Sequence, residues 1–258
     1  MEFSKIDNFV LKEYGLDLKA YKSKQLIRRI ESFMGRVGAK DEEDFIYILK
    51  KDSAINKKFK DHLTINVSEF FRNKEMFLEL QRKIKDILKP EVNTLKIWSA
   101  ACSNGAEPYT LAIIMDRLTL GKKHEILATD IDTTILEAAK KGIYTKNDIK
   151  NVDKDLIEKY FKVENENYII NDNIKQRVKF KKHDLILDSY ESNFDLIVCR
   201  NVVIYFTQET KDKIYKKFFE AMKPGALLFV GATESIFNYR ELGFEKAGTF
   251  IYQKPGGK

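Results

Sequence analysis

The spacing of hydrophobic positions changes once along this chain, near residue 90. The first 75 residues show helical patterns and no strand pattern, with glycines at positions 15, 35 and 38 as breaks. The expected helices cover residues 5–14, 22–37, 42–51 and 54–63, and Pro90 ends a further helix over 74–89. We therefore expect an all-helical N-terminal domain over residues 1–75.

Beyond residue 90, short apolar runs alternate with helical patterns. The expected strands cover residues 96–99, 125–129, 194–199 and 226–231, and the expected helices cover 109–118, 133–141 and 210–222. This alternation predicts an α/β fold with a doubly wound parallel sheet and crossover helices. Residues 76–258 are expected to form this second domain.

One part of the second domain departs from the alternation, between about residues 156 and 182. Three short strand patterns occur there, at 160–163, 168–170 and 177–180. They predict a small antiparallel β lobe inserted beside the main sheet. Residues 250–252 are expected to form the final strand of the chain.

The segment from Leu95 to Tyr109 carries the first chemical signal. An apolar run leads into a turn of small residues that contains Gly105, and a proline then opens a helix. A second apolar strand ends in Asp130, where a carboxylate can accept hydrogen bonds from both hydroxyls of a ribose. The turn lacks the three glycines of a pyrophosphate-binding loop, so a nucleoside without phosphates, above all S-adenosylmethionine, is the favoured ligand. On these residues alone, an α/β sheet that binds its ligand elsewhere remains an alternative.

Composition narrows the class of protein. The 258 residues are 43% apolar and 33% charged, as expected of a globular protein, and no apolar run reaches the roughly 20 residues of a membrane span. The N-terminal 18 residues do not resemble a signal peptide. Cys102 and Cys199 lack metal-ligand spacing and three scattered histidines add no cluster, so we expect a reduced cytoplasmic protein without a metal site.

The net charge of +7 is concentrated most clearly on one helix, residues 22–37. Its apolar positions recur at helical spacing, which predicts one buried face. The opposite face is basic, and such a face is either simply solvated or docks an acidic partner. The basic residues that we consider for docking are Lys24, Arg28, Arg29 and Arg36.

Two further segments carry candidate chemistry. Arg72 follows two phenylalanines, so its stem can pack while its guanidinium reaches a cleft, although a surface arginine beside core aromatics has the same pattern. Arg200, Asn201 and Tyr205 follow an apolar strand, where ligand-binding residues of doubly wound sheets lie. Methyltransferases that act on amino groups of bases have Asn-Pro-Pro-Tyr at this place, whereas this chain has Asn-Val-Val-Ile-Tyr, which counts against an amino nitrogen as acceptor.

Together these segments resemble one family, the chemotaxis receptor glutamate methyltransferases (CheR). The matching blocks are residues 64–72, 100–109, 128–132 and 199–206, in the family's order. The resemblance implies a doubly wound methyltransferase sheet, S-adenosylmethionine as donor with S-adenosylhomocysteine as product, and glutamate side chains of membrane chemoreceptors as acceptors. It assigns catalytic roles to Arg72 and Tyr205. It also implies that the donor is surrounded by Asn66, Ser68, Arg72, Glu107, Asp130, Asp184, Leu185, Arg200 and Asn201.

The chain departs from the family pattern in three places. Ala106 replaces the first of two acidic residues, and Asp184 stands where the family often has asparagine. The inserted lobe has the short, glycine-free turn 171–173, whereas relatives that grip a receptor's C-terminal pentapeptide carry a longer loop with glycine. We therefore expect methylation that does not depend on a pentapeptide tether.

Two functions from other classes remain as alternatives. A nucleic-acid methyltransferase is disfavoured by the missing Asn-Pro-Pro-Tyr and by the scattered charge. A non-catalytic module that only binds S-adenosylmethionine is disfavoured by the presence of Arg72 and Tyr205. The favoured prediction is a monomeric cytoplasmic enzyme that acts on chemoreceptors in sensory adaptation, without binding nucleic acid or inserting into the membrane.

Overall fold

The structure is a computed structural model that describes residues 3–21, 23–64 and 68–256. The chain divides into two compact units: Met1–Asn66 with Tyr205–Lys211, and Val67–Ile204 with Asp212–Lys258. The division at residue 66 differs from the boundary at 75 that the sequence predicted. The reason is that Phe70 and Phe71 are buried in the hydrophobic core of the second unit.

The first unit contains four α-helices in the described residues. Two of them begin at aspartates whose side chains accept backbone N–H groups of the first turn, Asp41 before the third helix and Asp52 before the fourth. Their buried faces meet around Phe33, Phe45 and Phe59, and the rings of Phe45 and Phe59 stack edge to face at 4.8 Å. The helices are α1 (Ser4–Tyr14), α2 (Ser23–Val37), α3 (Glu42–Lys51) and α4 (Ser53–Leu63).

The second unit is built on a seven-stranded sheet. With numbers in chain order, its strands are β1 (Lys96–Ala100), β2 (Glu125–Asp130), β6 (Val178–Lys182), β7 (Phe194–Cys199), β8 (Met222–Val230), β9 (Glu245–Lys246) and β10 (Ile251–Gln253). Their order in space is β6-β2-β1-β7-β8-β10-β9. The first five strands in this order are parallel, and β10 pairs antiparallel with both β8 and β9. The predicted doubly wound α/β fold is therefore confirmed.

The helices of this part of the chain bury apolar side chains on one face. They are α5 (Lys74–Lys83), α6 (Ala106–Leu118), α7 (Thr133–Lys141), α8 (Lys154–Tyr160), α9 (Asp172–Lys175) and α10 (Gln208–Ala221). Helix α6 is buried along most of its length, because it packs on β1, β2 and β6 and against α9. The helix predicted over 74–89 is α-helical to Lys83 and continues as one π-helical segment, Ile84–Leu88.

The inserted lobe is present, but one of its strands was predicted wrongly. Its sheet consists of β3 (Ile143–Tyr144), β5 (Asn167–Ile170) and β4 (Phe161–Glu164), all antiparallel. The pattern at 177–180 belongs to β6, which pairs with β2 in the main sheet. The predicted turn 171–173 therefore leads out of the lobe through α9, and the lobe's own hairpin turn is Asn165–Glu166.

None of the helices in the ranges that the structure describes has the length and apolar character needed to cross a bilayer.

Candidate active site

The carboxyl ends of three adjacent strands meet at one edge of the large sheet. β1 lies between β2 and β7, and Ala100 is level with Thr129 of β2 and with Cys199 of β7. Neighbouring strands are about 5 Å apart, so the segments that follow them start side by side. These segments are residues 101–105, 130–132 and 200–204.

The backbone at this edge is strained. Nine described residues other than glycine have a positive φ, and five of these belong to the candidate site. Residues with a Cβ adopt this conformation only where surrounding contacts enforce it, and such strain clusters at ligand-binding and active sites. The five are Phe71 (φ 50°) and Asn73 (61°) on either side of Arg72, Ala101 (59°) and Ser103 (50°) after β1, and Asn201 (61°) after β7.

Contacts with its neighbours hold the loop after β1. The Cys102 N–H donates to the carbonyl of Thr129 at 2.8 Å, and the Tyr144 hydroxyl donates to the carbonyl of Asn104 at 2.9 Å. Gly105, at a φ of 86°, leaves no room for a side chain, because a Cβ there would lie 2.9 Å from that of Ala139. The tight turn predicted at this glycine is confirmed in its geometry.

Asp130 ends β2 with its side chain almost fully buried. One carboxylate oxygen accepts the N–H of Ser103 at 2.8 Å, and the other accepts the N–H of Asp132 at 3.0 Å. Burial raises the pKa of this carboxyl, and the two backbone N–H groups partly offset the rise. Each oxygen keeps acceptor capacity, so Asp130 can also accept hydrogen bonds from ligand hydroxyls.

An unpartnered hydroxyl lies beside Asp130. The Oγ atom of Ser103 is buried and has no hydrogen-bond partner in the protein, although its own N–H donates to Asp130. A buried hydroxyl without a partner is unfavourable and calls for a ligand group or an ordered water. A carboxylate acceptor at the end of β2 and a free hydroxyl in the loop after β1 fit the ribose of a nucleoside.

Glu107 occupies the first turn of α6, behind the loop. Its carboxylate accepts the Ser99 hydroxyl at 2.8 Å and lies 3.5 Å from a guanidinium nitrogen of Arg200. Burial raises the pKa of Glu107, and the charge of Arg200 opposes this rise. A carboxylate at a helix N-terminus also benefits from the helix dipole.

Arg200 is deeply buried and holds the segment that carries Arg72. Its guanidinium donates to the carbonyl of Arg72 at 2.8 Å and to the side-chain oxygen of Asn73 at 3.1 Å. The same group lies 4.9 Å from the ring centres of both Phe77 and Phe229. In the structure Arg200 therefore orders the backbone around Arg72, a role that the sequence did not predict.

The segment after β6 joins the same edge. The His183 N–H donates to the carbonyl of Asp130 at 3.0 Å, which places Asp184 and the buried Leu185 next to the end of β2. One oxygen of Asp184 accepts the N–H groups of the two residues after Leu185, at 2.7 and 3.2 Å. The second oxygen takes no part in these two bonds.

The remaining donor-site predictions lie before α5. Arg72 is half-buried, and the carbonyl of Ser68 accepts the side-chain amide of Asn104 at 3.4 Å. Asn66 lies outside the described residues. The structure thus brings Ser68, Arg72, Glu107, Asp130, Asp184, Leu185, Arg200 and Asn201 to one region of the second unit.

Sequence reasoning missed Glu234, which is 3% exposed and lies four residues after the end of β8. Its carboxylate accepts the N–H groups of Asn201 at 2.6 Å and of Val202 at 2.9 Å. The only signal in the sequence was an acidic residue shortly after an apolar strand and Gly231. That signal does not say which backbone the carboxylate meets.

The remaining predicted residues belong to the first unit. Tyr205 is half-buried and interacts electrostatically with Arg29, whose pKa is lowered by burial and partly restored by Tyr205. The guanidinium of Arg29 is half-buried and donates to the carbonyl of His62. Lys24, Arg28 and Arg36 are exposed.

Two family descriptions match this chain. Residues 66–251 match "CheR methyltransferase, SAM binding domain", and residues 1–64 match "CheR methyltransferase, all-alpha domain". The chain belongs to the CheR methyltransferase family. This membership confirms the predicted fold class and an S-adenosylmethionine-dependent methyltransferase.

Relatives of the CheR family are similar to this chain along nearly its whole length. The chemotaxis protein methyltransferase of Listeria monocytogenes is 39% identical and covers 95% of this chain and 94% of its own length. Those of Borreliella burgdorferi and Escherichia coli are 32% and 30% identical, covering 96% and 97% of this chain and 93% and 89% of their own lengths.

Proposed function

We propose that this CheR-family chain methylates glutamate side chains of chemotaxis receptors, forming glutamyl methyl esters. The relatives named above are chemotaxis protein methyltransferases. The observation that carries the proposal is the position of the buried Asp130 carboxylate, at the end of β2, beside the unpartnered Ser103 hydroxyl of the loop after β1. This arrangement suits the ribose of the donor in a chain whose family is defined by donor binding.

We assign Asp130, Ser103 and Glu107 to the donor, together with Asn201, whose donor role the family resemblance implies. When bound, S-adenosylmethionine supplies a methyl group on a positively charged sulfur. A glutamate side chain with a pKa near 4.3 is ionised at neutral pH, so the protein need not remove a proton from the acceptor. Its tasks are to align the carboxylate with the methyl group and to exclude water, which would stabilise the separate charges.

We assign alignment of the acceptor to Arg72 and Tyr205, following the family resemblance. Arg72 can orient a carboxylate through its forked donors, and Tyr205 can donate one hydrogen bond that sets the direction of attack. Neither bond should be too strong, because a tightly held nucleophile is stabilised in the ground state. The contacts of Arg200 hold the backbone of Arg72 in one conformation although the residues on both sides of it have strained, positive φ angles.

For receptor docking we propose the basic face of α2, defined here as Lys24, Arg28 and Arg36. These three side chains are exposed and lie within about 120° around the helix, on the side away from the buried Ile30; Arg36 is at the edge of this face, with its guanidinium 5.6 Å from the ring centre of Phe33. Arg29 falls at the margin of the two faces, which explains its bond to His62. A basic face of this kind suits the acidic surface of a receptor's methylation helices.

We further propose that methylation needs no pentapeptide tether. The hairpin of the inserted lobe turns through Asn165 and Glu166, which have φ values of 46° and 66°. This turn has two residues and no glycine. It therefore lacks the longer loop that would complete a peptide pocket at the edge of the lobe. A tether would raise the local concentration of the receptor. Without one, recognition depends on contacts with the receptor body.

Transfer of label from methyl-labelled donor to receptor-bearing membranes tests the proposal. We expect label in the receptor that alkali releases as methanol, and no label in receptor-free membranes or in added DNA and RNA. Donor binding without transfer, or label resistant to alkali, would contradict a glutamate O-methyltransferase. Receptors with and without their C-terminal tails should be labelled at similar rates, and a large loss on tail removal would contradict tether independence.

A further inference from the structure

The Glu234 carboxylate is surrounded by backbone donors. One oxygen accepts the N–H of Asn201 at 2.6 Å and of Gly231 at 2.9 Å, and the other accepts those of Val202 at 2.9 Å and Ile204 at 3.3 Å. Three of these four donors belong to the segment that follows β7. Because hydrogen bonds to a charged acceptor are stronger than neutral ones, this side chain fixes that segment firmly.

The Glu234 carboxylate also fills the space beside Gly231. A Cβ on Gly231 would lie 2.3 Å from a carboxylate oxygen of Glu234 and 3.0 Å from the nitrogen of Asn201. The backbone of Glu234 is itself fixed, since its N–H donates to the carbonyl of Gly231 at 2.9 Å. Glycine at 231 is therefore required for the carboxylate to reach the four N–H groups.

The segment that Glu234 holds is one of the strained ones. Asn201 has a φ of 61°, and its side chain is among those that we assign to the donor. A left-handed residue between a strand and a turn relaxes unless its neighbours are bound, and the N–H groups of Asn201 and Val202 are bound by Glu234. The side chain of Arg200, one residue earlier, holds the backbone of Arg72 instead.

We propose that Glu234 is a positioning residue for the donor site: its carboxylate keeps Asn201 in the conformation that binds the donor, without itself touching the donor. The inference rests on the proposed function for the donor role of Asn201. It does not depend on which protein is methylated.

The variant Glu234→Gln tests the role with little change in volume. A glutamine offers one acceptor oxygen, and its NH2 group must face the N–H donors on the other side, so two of the four bonds are lost, including at least one to the segment after β7. We expect the affinity for S-adenosylhomocysteine, measured by calorimetric titration, to fall about tenfold or more. The KM for the donor should rise, whereas the KM for the receptor should change little.

Asp116→Asn is the matched control. Asp116 is another buried carboxylate, which accepts Arg177 at 2.6 Å and the Tyr160 hydroxyl at 2.9 Å, and it lies nine residues after Glu107 on α6, roughly 13 Å along the helix. This variant should lose thermal stability but keep its product affinity within about twofold. Wild-type affinity in Glu234→Gln, or equal losses of affinity in both variants, would overturn the inference.

Two measurements remain if Glu234→Gln does not fold. Gly231→Ala keeps the carboxylate but displaces it, and the folded protein should show the same loss of product affinity; wild-type affinity would overturn the inference. In the wild-type protein, the amides of Asn201 and Val202 should exchange with solvent far more slowly than those of the exposed residues Ala232 and Thr233. Equal exchange rates would overturn it as well.

These readouts separate the inference from the proposed function. Titration with S-adenosylhomocysteine requires no acceptor. A wild-type protein that binds this product but methylates no receptor would contradict the proposed function, while the comparison of Glu234→Gln with Asp116→Asn would still decide the role of Glu234.

Discussion

Asp130 and Glu234, at the carboxyl end of the parallel sheet, are bonded differently from Asp116 and Asp195, which lie away from that end. At the carboxyl end, Asp130 and Glu234 accept backbone N–H groups of loops. Away from that end, Asp116 pairs with the side chains of Arg177 and Tyr160, and Asp195 pairs with Lys223 at 2.8 Å while also accepting the N–H of Lys96 in β1 at 2.7 Å. The first arrangement fixes loop conformations, whereas the second joins elements of secondary structure.

We expect the two kinds of carboxylate to differ in what their loss affects, ligand binding or stability. A carboxylate bonded to loop backbone holds a strained conformation ready for a ligand, so its loss should mainly affect binding. The loss of a carboxylate that is bonded to side chains of other elements should mainly lower the free energy of unfolding. Variants of the two kinds of carboxylate can therefore be used to test the assignment of the donor site.

The largest expected effect is on stability, at Asp116. Asp116→Ala removes one partner of a buried ion pair and leaves the Arg177 guanidinium and the Tyr160 hydroxyl without their acceptor. We expect a loss of about 3–5 kcal/mol in the free energy of unfolding, measured by urea denaturation. Under conditions where the variant is folded, affinity for S-adenosylhomocysteine should be unchanged; a large loss of affinity would contradict this difference between the two kinds of carboxylate.

At Asp130 we expect a loss of ligand affinity instead of a loss of stability. Asp130→Ala should weaken product binding by about 1.5–3 kcal/mol, as expected for hydrogen bonds from a ligand to a charged acceptor. Calorimetric titration measures this directly, and Asp195→Ala, the loss of a carboxylate at the start of β7, is the control with unchanged affinity. Unaltered binding by Asp130→Ala would exclude it from the ribose site.

His124 predicts how stability depends on pH. It is buried, its Nδ1 accepts the N–H of Leu95 at 3.1 Å, and its Nε2 lies 2.9 Å from the Thr119 hydroxyl, which suits the neutral ring. Burial, aided by the charges of Lys122 and Arg177, lowers the pKa of His124 to about 4.

Because the folded pKa lies below the unfolded value near 6.5, the unfolded state binds more protons in this interval. The stabilisation from a neutral His124 is therefore complete above about pH 6.5 and is lost as the pH falls towards 4, with a loss of about 2 kcal/mol between pH 7 and pH 5. Urea unfolding at pH 7 and pH 5 should show this loss. His124→Asn, which keeps an acceptor but does not titrate, should lose less; an equal loss in both proteins would contradict the assignment.

The smallest effects are expected on the first unit, at the basic face of α2. Reversing Arg28 and Arg36 to glutamate should raise the KM for receptor about three- to tenfold, because exposed charges contribute at most about 1 kcal/mol each. The effect should shrink as salt is added, and donor affinity should not change. The control reverses Lys57 and Lys58 on α4, which are equally exposed; equal effects of both pairs would indicate attraction by net charge alone.

Hydrophobic periodicity and the order of motifs were enough to predict most of the helices and strands and the nucleoside site. Apolar patterns located the helices of the first unit to within about one residue, and they located most of the parallel strands and their alternation with helices, because each element buries one face or stripe. The glycine turn and Asp130 could be interpreted as a nucleoside site, since a strand, a tight turn and a helix in succession leave few other geometries.

Tertiary structure decided what depends on partners that are distant in the chain. The strand at 178–182 pairs with β2 and so belongs to the main sheet. No local pattern in the sequence specifies that partner. Arg200 was predicted to contact the donor, but the structure adds the backbone of Arg72, 128 positions away, as its hydrogen-bond partner. Glu234 gained its role only because the fold brings four N–H groups to one buried carboxylate, and sequence spacing cannot show where unpaired backbone donors will meet.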